Sequence, residues 1–117
     1  MRKLFWGLIL ASGVSAASAQ TVGGSYNVQG ANPNGAAYSG TVQITPSGSA
    51  CRITWQTGST SSSRICMLAN KTFAASYILQ GKQGLVVYEL QSDGSLKGWW
   101  TLADQQGVGT ENLYPRH

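Results

Sequence analysis

Past residue 19 the chain carries four carboxylates (Glu89, Asp93, Asp104 and Glu111), two cysteines (Cys51 and Cys66) and a single histidine, His117. That inventory limits the chemistry. A nucleophilic relay needs an imidazole inside the fold, and His117 is the last residue. Zinc would lack ligands for the same reason. Gly107-Val108-Gly109 has neither the lysine nor the following helix of a phosphate loop. Asn32-Pro33-Asn34-Gly35 offers no carboxylate to calcium. Two carboxylates would satisfy the count for a glycosidase, but a domain this small provides little cleft. Asp93 falls in an Asp-Gly turn and Asp104 in a polar loop, both natural places for solvated turn formers. Glu89 lies mid-strand and reads as surface. Glu111 alternates with Gly109 and Leu113, which points it inward, where it needs Arg52, Arg64 or a tyrosine as partner. A structural role for Glu111 outweighs a catalytic one. The expectation is a non-enzyme with no cofactor and no metal.

Binding features are better represented than catalytic ones. Tyr26, Trp55, Tyr77, Tyr88 and Trp100 are candidates to line an interior cavity, or simply to fill it. Trp99 falls on the opposite face from Trp100, beside Lys97 and Thr101. An outward tryptophan next to a cation on a rigid strand makes a candidate contact surface for a protein or glycan.

The elements that must position these groups are strands. Turn signals recur about every ten residues: Asn34-Gly35, Pro46-Ser47-Gly48, Gly58 to Ser63, Asn70-Lys71, Gly81 to Gly84, Asp93-Gly94 and Gln105-Gln106-Gly107. Between them lie runs rich in Val, Ile, Thr, Tyr, Phe and Trp, the residues that suit a pleated, half-buried surface. Eight strands are predicted over 24–29, 38–45, 50–56, 64–68, 72–79, 85–91, 95–102 and 109–114. Alternation groups Val42 with Ile44, Cys51 with Ile53 and Trp55, Phe73 with Ala75, Tyr77 and Leu79, and Leu96 with Gly98, Trp100 and Leu102. Strand 85–91 is apolar on both faces at Leu85, Val86 and Val87, which predicts deep or covered placement. Short connections force antiparallel neighbours, and closure would remove the sheet edges. The fold class expected is all-β, a small antiparallel up-and-down meander of about eight strands in a closed or nearly closed barrel. A β-sandwich is the runner-up. An immunoglobulin arrangement would want its cysteines on more distant strands.

The ends and the charge set the compartment. Arg2 and Lys3, the apolar stretch Leu4 to Leu10 and Ala17-Ser18-Ala19 form the three regions of a signal peptide, cut after Ala19. Residues 20–117 then make one domain, secreted or periplasmic, with no transmembrane segment. Six of the eight basic residues remain, Arg52, Arg64, Lys71, Lys82, Lys97 and Arg116, spread singly, so nucleic acid is not an expected partner. A domain of this size has a marginal core, and an oxidising compartment permits stapling it. Cys51 and Cys66 stand at a spacing that adjacent antiparallel strands can bridge, and a disulfide between them is expected.

Several segments also resemble a family of small secreted bacterial β-proteins, some labelled fibronectin-binding protein. The likeness runs through Gly24-Ser25-Tyr26-Asn27-Val28-Gln29-Gly30, Asn32 with Gly35, Tyr38-Ser39-Gly40-Thr41, Cys51 and Trp55. It continues in Ile65-Cys66-Met67, Phe73-Ala74-Ala75, Gly84-Leu85-Val86-Val87-Tyr88, Asp93 to Gly98 and Gly109-Thr110-Glu111. Arg64 departs from the glycine that the family pattern favours, so an outward path or an acidic partner is needed for it. A looser likeness to calycin-type barrels concerns fold alone. The resemblance implies a secreted, non-enzymatic module that contacts a host or envelope macromolecule. The alternatives are a small-molecule-binding barrel and a periplasmic enzyme inhibitor that projects the loop Gly58 to Ser63. Neither composition nor resemblance identifies the partner or the oligomeric state.

Overall fold

The computed structural model describes residues 22–116; the signal segment and cleavage site expected from the sequence lie outside them. Eight strands follow one another: β1 Gly24–Ala31, β2 Ala37–Ser47, β3 Ala50–Thr57, β4 Thr60–Ala69, β5 Thr72–Leu79, β6 Lys82–Leu90, β7 Leu96–Leu102 and β8 Gly109–Pro115. Each pairs antiparallel with the next, and β8 returns to β1 from Tyr26↔Pro115 to Ala31↔Thr110, closing an up-and-down barrel. The sandwich alternative is thereby excluded. Among the described residues no helix is long and apolar enough to cross a membrane.

Four connections are two-residue hairpin turns, which is why the strands are so evenly spaced. At Gln80–Gly81 both residues have positive φ (52° and 80°), a backbone twist that matches the right-handed strands on either side. Gly58 (φ 61°) begins the turn that joins β3 to β4. The expected loop over 58–63 is therefore a correction. Thr60 to Ser63 pair with Thr57 to Thr54 as ordinary strand, and nothing there projects as an inhibitor loop would.

Alternation divides the barrel as the pleat requires. Inside, Phe73, Tyr88, Leu96, Leu113, Ile44, Ile53 and Val28 are fully buried. Burial of each such side chain stabilises by roughly 1.5–3 kcal/mol. They occupy the end of the barrel that holds the β2–β3, β4–β5 and β6–β7 connections. Tyr26 lies at the same end. Its hydroxyl accepts from the Gly23 amide at 3.0 Å and donates to the Gly23 carbonyl at 3.1 Å. Cys51 and Cys66 are register partners on β3 and β4, with Cα atoms 4.9 Å apart, and are bonded.

Two features depart from the sequence reading. Strand β6 is not covered on its outside: Leu85 and Val87 are both solvent-exposed. Ladder β4–β5 runs only from Cys66↔Ala75 to Ala69↔Thr72, although both strands continue well beyond Cys66 and Ala75 toward the opposite end. A seam therefore opens in that wall. Arg64 has inward parity but lies half-buried in the groove beside the seam, next to Tyr77, Ile78 and Leu85. Its guanidinium donates to the Ser63 carbonyl at 2.8 Å.

Candidate functional site

The half of the barrel away from the disulfide encloses a cavity of about 320 Å³. It reaches solvent between the β3–β4 turn at Gly58 and the end of β5 at Ile78 and Leu79. Its walls are Tyr38, Trp55, Tyr77 and Trp100, and Glu111 stands among them. The four rings form an edge-to-face sequence around the space. Trp55 and Tyr77 are 5.9 Å apart at 62°, Tyr77 and Trp100 6.4 Å at 73°, and Trp100 and Tyr38 6.3 Å at 68°. Such pairs add about 0.5–1.5 kcal/mol each beyond burial.

The strands make room for these rings by placing a small residue opposite each one. Register pairs Tyr38 with Gly30, Tyr77 with Gly84, Trp100 with Gly109 and Trp55 with Ser62. A Cβ at Gly30 would sit 2.2 Å from the Tyr38 ring, and one at Gly84 2.3 Å from the Tyr77 ring. Over Gly30, Gly84 and Gly109 the rings lie on backbone that has no side chain of its own. Tyr88 follows the same rule one layer deeper, over Gly98.

Glu111 is 6 % exposed, and its carboxyl is held by three neutral donors. Tyr38 Oη–H donates to Oε1 at 2.8 Å, Trp55 Nε1–H donates to Oε2 at 2.9 Å, and Tyr88 Oη–H also donates to Oε2. Burial pushes the phenols of Tyr38, Tyr77 and Tyr88 above their ordinary range, and the negative charge of Glu111 pushes them further. They therefore remain protonated donors at any physiological pH. Ser62 Oγ is buried at the cavity wall with no hydrogen-bond partner. A buried hydroxyl left unpaired is costly, and a polar atom entering the cavity would satisfy it.

The residues singled out from sequence divide four ways. Trp55, Tyr77 and Trp100 border the cavity. Tyr88 is fully buried beneath it and reaches it only through Glu111. Tyr26 is corrected: it closes the opposite end and lines no cavity wall. Lys97, Trp99 and Thr101 share the outer wall, where Trp99 is 40 % exposed and Thr101 Oγ1 donates to the Gly107 carbonyl at 3.1 Å. Sequence reasoning overlooked Tyr38 and Ser62. The signal for Tyr38 was present, because it shares parity with the inward Val42 and Ile44.

No family model matches the chain, and no curated protein matches it. Solved structures do. A de novo designed fluorescence-activating β-barrel superposes with a TM-score of 0.64 at 14% identity, covering 85% of this chain and 97% of that one. A mutant of the fluorescent protein UnaG gives a TM-score of 0.54 at 14% identity, covering 84% and 97%. At that identity the likeness concerns the fold: a small closed antiparallel barrel.

Proposed function

We propose that this protein is a non-enzymatic, exported binding barrel whose cavity takes one small, largely apolar molecule. The observation that carries the reading is a partly open, aromatic-walled space with a buried carboxyl at its side and an unpaired Ser62 hydroxyl in its wall. Few, convergent polar groups on apolar walls are what a ligand site requires. Both structural neighbours, a fluorescence-activating barrel and a fluorescent protein, are small barrels of this fold, which agrees with a binding role for the interior. Against catalysis, three donors hold the Glu111 oxygens, and among the described residues no second carboxylate, histidine or thiol lines the cavity to share a catalytic step with it. Export rests on the A-x-A segment and agrees with the disulfide.

Titration with Prodan, a neutral naphthalene dye sized for this space, tests the reading. Saturable one-to-one binding is expected, and a folded Ser62→Phe variant, which fills the cavity, loses it. Equal dye binding by that variant would refute the cavity as the site.

A second reading places a protein or glycan on the outer wall at Lys97, Trp99 and Thr101. Its support is the exposed row formed by register partners Val87 and Trp99, continued by Leu85 beside Thr101. Trp99→Ala separates the two: it should weaken a macromolecular partner and leave Prodan binding unchanged.

A further inference from the structure

Glu111 is a buried carboxyl whose hydrogen-bond partners are all neutral. Arg64 lies in the groove beside the seam with its guanidinium on a backbone carbonyl, and among the described residues no Lys, Arg or His lines the cavity. In each of its contacts Glu111 accepts, the role of a carboxylate. A carboxylate offers about four lone-pair sites. Oε2 receives Trp55 and Tyr88, whereas Oε1 receives only Tyr38, so Oε1 keeps an open acceptor position. Around this uncompensated charge stand two tryptophans and two tyrosines, the rings with the most attractive faces for a cation.

Resting on the binding reading above, we infer that the ligand is an organic cation, an alkyl- or arylalkylammonium, with its nitrogen centre between Glu111 and the aromatic walls and its apolar part toward the mouth. The carboxylate supplies the counter-charge that burial leaves it without. Tryptophan and tyrosine stabilise a charge spread over alkyl groups, and their interaction strengthens once water is excluded. A metal ion would need several hard oxygen ligands and finds one carboxylate. An anion would face Glu111 at close range in a space where charges are poorly screened. A purely neutral ligand would leave Glu111 without a counter-charge. The cavity volume suits one ammonium group with a short chain or a single ring attached.

The experiment is displacement of Prodan from the folded protein by benzyltrimethylammonium and by neopentylbenzene, which has the same shape with carbon in place of the charged nitrogen. The cation should displace the dye at a concentration about tenfold lower or better. Glu111→Gln should bring that ratio close to one. Tyr77→Leu, which touches no Glu111 oxygen, should reduce it several-fold by removing a ring of the wall. If Prodan binds and both compounds displace it equally, the cation assignment is wrong and the binding barrel stands. If Prodan does not bind and neither compound changes tryptophan fluorescence, the binding reading itself fails and this inference with it. The wild-type ratio alone decides the point should either variant not fold.

Discussion

Gly98→Ala tests whether the barrel interior is built on glycine–aromatic pairing. An alanine Cβ at this position would lie 2.4 Å from Tyr88 Cδ1, 2.7 Å from Tyr88 Cε1 and 2.7 Å from the Glu111 backbone oxygen. None of these contacts is tolerable, and the third belongs to backbone held in the β7–β8 ladder. Overpacking a filled core costs about 1–3 kcal/mol, and the upper end applies when backbone must shift. Tyr88 has no free space to move into, so its bond to Glu111 is disturbed as well, at about 1 kcal/mol. Alanine also lowers the entropy of the unfolded chain, which returns about 0.4–1 kcal/mol. The net loss should be about 3 kcal/mol, a fall in melting temperature of roughly 12–24 °C for a domain of this size. Urea denaturation followed by tryptophan fluorescence measures it. Gly84→Ala is the contrast, because all its closest contacts are to the Tyr77 ring, which borders the cavity and can swing into it. That variant should lose only about 1 kcal/mol of stability while Prodan binding falls sharply. A loss below about 1 kcal/mol for Gly98→Ala, or equal losses for both, would refute the pairing argument.

Three further outcomes follow from the same geometry. Replacing Cys51 and Cys66 together by serine should cost about 3 kcal/mol, the chain-entropy value for a 15-residue separation; intact mass before and after reduction should differ by two hydrogens, and two alkylatable thiols in unreduced protein would contradict it. Trp100→Ala should cost about 3–5 kcal/mol, since that ring is buried, whereas Trp99→Ala on the outer wall should lose far less; equal losses in denaturant melts would overturn the face assignment. Stability should hold below the unfolded tyrosine value of 10.0 and fall as pH rises above it, because the unfolded chain then releases phenolic protons that folded Tyr38, Tyr77 and Tyr88 retain. Tyr38→Phe should make the decline between pH 9 and 11 shallower, and an unchanged slope would show that Tyr38 is not one of the groups involved.

The strand count and direction were legible because turn residues punctuate the chain so regularly. At Asp93-Gly94 and Asn70-Lys71 the local chemistry alone marks the reversal, and Asp93 Oδ1 indeed accepts from the Ser95 amide and hydroxyl. The stretch Gly58 to Ser63 misled for a physical reason. Serine and threonine favour turns when free, but here Thr60 to Ser63 are fixed by the ladder to β3, and tertiary pairing overrides propensity. The double apolar face of β6 misled differently. Leu85 and Val87 resemble core residues, yet a small closed barrel has no second layer to cover its outside. Within the site, alternation placed Glu111 inward but could not supply its partners. Tyr38 comes from β2, Trp55 from β3 and Tyr88 from β6, and only the closed barrel brings them to one carboxyl. Register was the missing quantity: once Gly30 is known to face Tyr38, and Gly109 Trp100, the pattern of glycines in strands explains itself.

The two ends of the barrel do different work, and the division follows from residue size. At the disulfide end, inward positions hold Ile44, Ile53, Phe73, Leu96 and Leu113, which fill the section completely, and the β4–β5 ladder survives only there. Toward the other end the inward positions alternate between large rings and Gly30, Gly84, Gly109 or Ser62, so the rings stack against backbone and leave the axis open. The seam between β4 and β5 lies on this open side, and so does Glu111. Among the described residues no cation stands beside Glu111, and a buried carboxyl so placed weakens a fold more than a well-packed apolar side chain would. Its presence at the open end, away from the staple and the filled core, fits a site that sacrifices some stability to recognise a partner. Substitutions that only push a ring of the wall into the empty space, as Gly84→Ala does to Tyr77, should therefore change ligand affinity before they change stability, and substitutions in the filled half should do the reverse.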